Sequence, residues 1–445
     1  MTATRLDRSS WPAPLRPARI VHIGVGNFSR AHQAWYTAAD PTRAWGILGF
    51  TGRRPDLADA LAPQQGLYTL IERGPLSDRV SVIDAVCEVR PGADLDGLVD
   101  ALASPQTSIV TLTVTEAGYG LAPAPGSALP SAPGRLALGL AQRRRRGVGP
   151  LAVVSCDNLH ANGSVLREGT LALADQLDPG LGAWVEREVS FVSTSVDRIT
   201  PATTDEDRRL AELEIGLLDA APVVTEPFSD WVLCGEFPGG RPDWEAAGAR
   251  FVAEIEPWEL RKLWLLNGGH SLLAYLGLLR GHQTVADAIA DAELADALER
   301  FWDLAQRHLP AGDLDLPAYR RQLLERFANA RISYPLTQIA GDGLGKLRNR
   351  VVPVIEAALR AGEPAEPALS VVAAWIRWLV DAPQRAASDQ NVELLRGALS
   401  NSGAEDQAAA LSDLLAPGGP MTPPPAPGGP ITPPPLHTTI NEERK

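Results

Sequence analysis

The chain begins with short apolar runs and ends with long amphipathic ones. After a polar, proline-bearing lead-in over residues 1–19, Ile20 to Gly24 (IVHIG) is apolar and β-branched, as in a strand buried on both faces. It runs straight into GVGNFSRAHQAWY, a glycine-rich turn followed by a helical pattern. Similar buried runs recur at Trp45–Phe50, Ser108–Thr113, Leu151–Cys156 and Phe191–Val196. GLYTLIERG and RVSVIDAVCEV read as the strands of a hairpin, and helices are predicted over Leu95–Ala103 and Arg135–Arg146. Residues 121–134 (LAPAPGSALPSAPG) have no periodicity and read as a loop.

From about residue 246 the pattern changes. Strand-like runs stop, and amphipathic periodicity predicts helices over Trp258–Arg280, Ala286–Leu309, Leu316–Ala328 and Val351–Ala361. The end of the chain is different again: APGGPMTPPP at 416–425 repeats almost unchanged as APGGPITPPP at 426–435. Such composition cannot bury a core, and an extended, mobile tail is expected.

Composition narrows the class without naming it. The 445 residues are 45% hydrophobic and 21% charged, ordinary for a globular protein long enough for two domains. A net charge of −13 argues against a nucleic-acid partner, since phosphate binding needs a basic face. The RRRR run at Arg143–Arg146 is the one basic cluster, and the expectation for it is a solvated helix end. No apolar run reaches the length of a membrane span, and the N-terminus lacks the apolar core of a signal peptide. Three widely spaced cysteines, Cys87, Cys156 and Cys234, suit a reducing compartment, so a cytoplasmic location is expected. Cys156 and His160 lack further ligands at sensible spacing, and no metal site is expected.

The candidate chemistry lies in two places. Gly24 and Gly26 match the first two glycines of the dinucleotide fingerprint, with Ser29 at the third, between a strand and a helix. The cofactor set read here is Gly24, Gly26, Asn27, Phe28 and Arg30, joined by Arg53 after the second strand. Arg30 and His32 have an alternative reading as first-turn surface residues. Arg53 and Arg54 would suit a 2′-phosphate and Asp56 a ribose hydroxyl, so NAD or NADP stays open. DNLHANG and DRITP follow strands, which makes Asp157, Asn158, Asn162, Asp197 and Arg198 candidates at the ligand-binding edge; an Asx-rich turn is the alternative for the first of these.

The second place is ELRKLWLLNGGHSLLAYLGLLRG at Glu259–Gly281, which sets Lys262, Asn267 and His270 in an apolar run. Lysine occurs only three times in the chain, at Lys262, Lys346 and Lys445, and arginine does the basic work elsewhere. Lysine alone of the two can lose its proton, and burial lowers its pKa toward that of a general base. The alternative is a lysine snorkelling from a buried helix. Residues five and eight apart drift off one α-helical face, and Gly268 and Gly269 are where a break is expected.

IVHIGVGNFSRAHQ, SCDNLHANG, VDRITP and KLWLLNGGHSLLAYLG, in this order, resemble the mannitol dehydrogenase family of long-chain polyol dehydrogenases. The resemblance runs over roughly residues 18 to 400 and does not include the proline-rich tail. It implies an α/β architecture: a Rossmann-type dinucleotide-binding domain at 20–245, then a mostly α-helical substrate and catalytic domain at 246–415; the disordered tail expected at 416–445 rests on composition alone. It also implies metal-independent hydride transfer between NAD or NADP and a secondary alcohol of a sugar alcohol or sugar acid. Carried over, the catalytic set is Lys262, Asn267, His270 and Asn158, with Asp197 and Lys346 at the substrate. Polyol-specific members carry Arg eight residues before the second lysine and often His five before it; here these are Gln338 and Gly341, and the family's hexuronate reductases resemble this chain at Gln338. The expected small-molecule partners are therefore a sugar alcohol, ketose or ketouronate. A catalytically silent nucleotide- or sugar-sensing protein is the alternative function.

Overall fold

The computed structural model describes residues 4–120 and 130–415. Most of the expected 121–134 loop and the whole Pro/Gly-rich tail therefore lie outside the described residues. The chain divides into two compact units, one ending at Glu256 and the other beginning at Pro257.

Among the described residues the first unit holds eleven strands: β1 (Ala18–Val25), β2 (Gly46–Thr51), β3 (Tyr68–Arg73), β4 (Asp78–Ile83), β5 (Val86–Arg90), β6 (Ile109–Leu112), β7 (Leu151–Ser155), β8 (Val189–Asp197), β9 (Val223–Thr225), β10 (Asp230–Cys234) and β11 (Arg250–Phe251). The main sheet runs β11-β10-β8-β7-β6-β1-β2-β5. From β5 through β8 all neighbours are parallel, while β10 joins β8 antiparallel. That order is the doubly wound one, in which chain direction across the sheet reverses between β1 and β6.

Every residue of β6 and β7 is buried, because helices cover both faces. Successive residues alternate between the two faces: Ile109, Ala152 and Val154 enter one apolar cluster, while Val110, Leu112 and Val153 enter the other. A smaller sheet, β4-β3-β9, stands apart. The expected hairpin is there as β3 and β4, but the AVCEV portion of its second run leaves to become β5, the edge of the main sheet.

The second unit is helical. Its axis is the helix Gly268–Leu279, of which Gly268 through Gly277 are all buried, as for a helix surrounded by others. Ala292–Arg307, Leu336–Ala340 and Glu366–Val380 pack around it. Glycine makes the close approach possible: a Cβ at Gly268 would lie 2.9 Å from the Phe301 ring, and one at Gly269 3.0 Å from Leu298. These glycines are helix-packing residues and not the break expected of them.

The RRRR run also departs from expectation. Arg143 ends up buried, donating to the carbonyl oxygens of Gly149, Leu102, Ser104, Thr107 and Pro150. A guanidinium with five donors ties together loops whose carbonyls would otherwise lack partners. Of its neighbours, Arg146 does reach solvent, in an ion pair with Asp100.

Candidate functional site

Parallel strands bring their C-terminal ends to one edge of the first unit, and the expected cofactor residues collect there. At the end of β1, Gly24 has φ +96°, and a Cβ on it would fall 2.1 Å from the carbonyl oxygen of Thr113, where β6 ends. Only glycine fits this turn. Gly26 is different: its φ of −148° is open to any residue, and a Cβ there would meet nothing nearer than 3.8 Å. The fold itself does not need that glycine, and the space it leaves fits a group from outside, such as a pyrophosphate. Ser29 stands at the third glycine position, and its Oγ accepts the Gly26 N–H at 3.0 Å. Asn27 Oδ1 accepts from Arg30, and Phe28 stacks on His32 at 5.1 Å.

Arg30 and His32 are both buried, so neither is a first-turn surface residue. Arg30 is turned into the unit, donating to the carbonyl oxygens of Gly26 and Ala221 and to Asn27 Oδ1. Burial brings its pKa down to about 10. Its bonds to Gly26 O and Asn27 Oδ1 brace the glycine turn. His22, on β1, is bound between the hydroxyls of Thr111 (2.7 Å) and Thr113 (2.9 Å), and burial pushes its pKa down to about 4. Arg53 is exposed beyond β2, with no hydrogen bond or ion pair among the described residues, while Asp56 lies 3.8 Å from Arg54.

The residues after β7 divide between structure and exposure. The Asp157 carboxylate accepts the N–H groups of Val114 (2.8 Å) and Thr115 (2.9 Å) and the Tyr119 hydroxyl (2.7 Å). Burial raises its pKa, and the Tyr119 bond opposes the shift. Thr115 has φ +66°, a strained conformation for a threonine that Asp157 holds in place. Asp157 thus shapes the loop after β6, facing the glycine turn across the reversal point. Asn162 ties Asp157 O (2.9 Å) and Thr194 O (2.8 Å) together and is a buried strut, whereas Asn158 is exposed. Asp197 is buried at the end of β8. Arg198 is locked to Glu72 (2.7 Å), Ala31 O (2.6 Å) and Glu226 O (3.1 Å) over the Trp35 ring.

In the second unit the feature that matters is a change of helix type. Glu256–Arg261 is α-helical, Lys262–Asn267 is π-helical, and Gly268–Leu279 is α-helical again. At about 100° per residue an α-helix would put Lys262 and Asn267 about 140° apart. The wider π turn, closed by i→i+5 bonds, draws residues five apart back toward one side. The α-helix then sets His270 a further three residues on, over the same side. Lys262 and Asn267 are half-buried and His270 is buried, its ring against Phe327 (4.8 Å) and Tyr334 (5.3 Å).

The π turn is braced from outside. Trp302 Nε1 donates to Leu265 O (2.8 Å), and Ser271 Oγ (3.1 Å) and Arg350 Nη1 (3.5 Å) reach Asn267 O. Glu259 is buried, and Arg261 is sandwiched between Trp258 (4.6 Å) and Tyr319 (4.0 Å) with one N–H on Leu314 O.

Lys346 lies half-buried on Gly343–Arg350 and donates to Ile339 O at 3.0 Å. Gln338 is exposed on the neighbouring helix Leu336–Ala340, and Gly341 leaves open space, its imagined Cβ at 3.7 Å from the nearest atom. Arg350 and Tyr334 were not singled out from the sequence; among so many arginines, nothing local marks Arg350. No group of three or more His, Cys, Asp or Glu side chains placed to hold a metal occurs among the described residues.

The family model described as the mannitol dehydrogenase Rossmann domain matches residues 18–246, and that of the mannitol dehydrogenase C-terminal domain matches residues 254–414. The chain is 38% identical over 398 residues to D-mannonate oxidoreductase of Escherichia coli (strain K12), covering 83% of this chain and 82% of that protein. Against mannitol 2-dehydrogenase of Cereibacter sphaeroides the identity is 36% over 398 residues, covering 84% and 83%. Among solved structures, the ternary complex of Pseudomonas fluorescens mannitol 2-dehydrogenase with NAD and D-mannitol superposes with a TM-score of 0.76 at 35% identity, covering 93% of this chain and 91% of that one.

Proposed function

Since the chain belongs to the mannitol dehydrogenase family, we propose that it is an NAD(P)-dependent oxidoreductase interconverting a secondary alcohol of a sugar alcohol or sugar acid with its ketone. The observation that carries the reading is the π-helical turn Lys262–Asn267, which re-aims a rare lysine onto the side of the helix that bears Asn267 and His270. A sensing protein needs no such group.

In the oxidation direction Lys262, in its neutral form, takes the proton of the alcohol oxygen. Asn267 donates a hydrogen bond to that oxygen as negative charge builds on it, and Asn158 is assigned the same task. His270, held by Phe327 and Tyr334, orients the substrate hydroxyls. Glu259, one turn before Lys262, passes the proton onward. A dinucleotide held there would supply the hydride acceptor in this direction and the hydride donor in the other. Gly24, Gly26, Asn27 and Phe28 would hold its pyrophosphate side, and Arg53 its ribose end. As Lys262 takes the proton it becomes cationic beside the reacting oxygen, the part a Lewis acid would otherwise play, so the proposed transfer is metal-independent.

The test is spectrophotometric: oxidation of NADH and of NADPH with D-fructose, D-fructuronate and D-tagaturonate as acceptors. Turnover of at least one acceptor is expected. Tight cofactor binding with no turnover across the panel would favour the silent sensor instead.

A further inference from the structure

On one face of the main sheet the apolar pattern is interrupted in step on two strands. Ile20 and Ile109 pair across β1 and β6 and belong to one apolar cluster. Two residues on, with side chains on the same face, the pair is His22 and Thr111. Two further on come Gly24 and Thr113, where the glycine turn begins. Polar groups buried in such a face are costly unless each has a partner. Here each has one. His22 Nδ1 lies 2.7 Å from Thr111 Oγ1 and Nε2 lies 2.9 Å from Thr113 Oγ1, and Thr113 Oγ1 donates to the carbonyl oxygen of Gly24 at 2.9 Å.

These bonds fix which way the protons point. A hydroxyl has one hydrogen, and that of Thr113 is committed to Gly24 O, which can only accept. His22 Nε2 therefore donates to Thr113 Oγ1. Burial pushes the pKa of the ring down to about 4, with the Gly24 carbonyl opposing the shift, so the ring is neutral at physiological pH. A neutral ring has one N–H, so Nδ1 accepts and the Thr111 hydroxyl donates to it. The result is a directed chain from Thr111 through His22 and Thr113 to Gly24 O. Bonds aligned head to tail polarise and strengthen one another. Among the described residues the backbone ladder between β1 and β6 ends with Thr113 N–H on Ile23 O, at 3.0 Å. The Thr113 hydroxyl carries it one bond further, into the turn.

We propose that His22 is a positioning residue for dinucleotide binding: acting through Thr113 it fixes the Gly24 carbonyl, and with it the direction in which the turn presents the open backbone of Gly26. The proposal rests on the reading of that turn as the pyrophosphate seat and adds a residue that works from beneath it, inside the sheet. Sterics alone leave the turn underdetermined. The φ of +96° at Gly24 excludes other residues, but a glycine is also free to adopt other conformations, and a bond to its carbonyl removes that freedom. Gly26 needs this support, because nothing stands within 3.8 Å of where its Cβ would be.

The experiment measures Kd for NADH and NADPH by fluorescence titration in wild type, His22→Gln, His22→Asn, Thr113→Val and the double variant His22→Asn/Thr113→Val. Glutamine sets an amide N–H where Nε2 stands, whereas asparagine reaches only as far as Nδ1. His22→Asn and Thr113→Val should each raise Kd by about tenfold, the scale of one lost internal hydrogen bond, with kcat little changed. His22→Gln should bind nearly as wild type does. The double variant should bind no more weakly than the weaker single one, since both residues act on one carbonyl. Additive losses, equal losses in His22→Gln and His22→Asn, or wild-type affinity in His22→Asn overturn the proposal. If His22→Asn does not fold, Thr113→Ser decides against Thr113→Val: affinity kept with serine and lost with valine supports the chain, and equal affinity in the two overturns it. If wild type binds neither dinucleotide, the dehydrogenase reading fails by itself, and hydrogen exchange judges the strut. His22→Asn should then quicken exchange at residues 25–28 and leave Ile109–Leu112 as they were, and unchanged exchange at 25–28 would sink the strut as well.

Discussion

The glycine turn after β1 and the π turn at Lys262 both interrupt regular backbone, and they do so by opposite means. The first relies on missing side chains. Gly24 adopts a conformation barred to other residues, and Gly26 leaves room that the protein does not fill. The second uses no glycine at all: KLWLLN is made of ordinary helix formers, and the extra residue per turn is stabilised by Trp302 and Arg350 from elsewhere in the chain and by Ser271 of the next turn. One break makes space for a visitor. The other leaves space alone and changes where existing side chains face. A glycine turn can therefore be seen in a sequence, while a π turn cannot, because its supports are distant in the chain.

The largest effect should come from the side chain that the π turn re-aims. Lys262→Ala is expected to lower kcat by two or more orders of magnitude, the scale of a lost general base. Cofactor affinity, measured by fluorescence titration with NADH, should change little. Wild-type turnover in this variant would remove Lys262 from the mechanism and leave the π turn without a purpose.

The two glycines of the first break should separate cleanly. Gly24→Ala forces a Cβ into the Thr113 carbonyl at 2.1 Å and holds alanine at φ +96°, and should cost at least about 3 kcal/mol in chemical denaturation. Gly26→Ala should leave stability within about 0.5 kcal/mol, because nothing stands near its Cβ. Its effect should instead be a dinucleotide Kd raised by about tenfold, through lost backbone approach. Equal stability losses in the two variants would mean that Gly26 serves the fold and not the cofactor.

How much could be read from sequence follows the same division. Strands β1, β2, β6, β7 and β8 were legible because a strand covered on both faces is a continuous β-branched run. The helices of the second unit were legible from their period. Placement was legible as well: Gly24, Gly26 and Asn158 lie at the ends of β1 and β7, where the motifs put them. What failed depended on partners remote in sequence. Arg143 read as solvated because a charge run usually is, but its guanidinium meets carbonyls of two other segments, 102–107 and 149–150. The surface alternative for Arg30 failed, because its guanidinium is buried and bound to Ala221 O, far along the chain. Asp157 was a candidate for its position, and its actual task, holding Thr115 at φ +66°, needs the three-dimensional loop to be seen.

A smaller effect should follow pH. His22 titrates near 6.5 when unfolded and near 4 when folded, so the unfolded chain binds the proton first as pH falls. Stability from this site is complete above about pH 6.5 and is lost progressively down to about pH 4, by about 3 kcal/mol at most. In urea melts at pH 7 and pH 4.5, wild type should lose more stability than His22→Asn, which cannot titrate. Parallel losses in the two proteins would show that the strand-buried imidazole is not protonated on unfolding.

The smallest effect should come from a brace of the π turn. Trp302→Phe keeps an aromatic ring against Gly269 and Phe327 but removes the Nε1 donor from the Leu265 carbonyl, now bonded at 2.8 Å. A buried carbonyl without its donor costs about 1 to 3 kcal/mol, and the lower end is expected here because a carbonyl retains a second acceptor direction. The informative readout is local. If the π turn depends on outside support, hydrogen exchange should quicken at Lys262–Asn267 more than in the α-helical residues Leu272–Leu276 of the same run, and kcat should fall a few-fold with the melting temperature nearly kept. If exchange quickens uniformly along the run instead, Trp302 stabilises the helix as a whole, and the π turn is held by Ser271, Arg350 and the packing of Gly268 and Gly269.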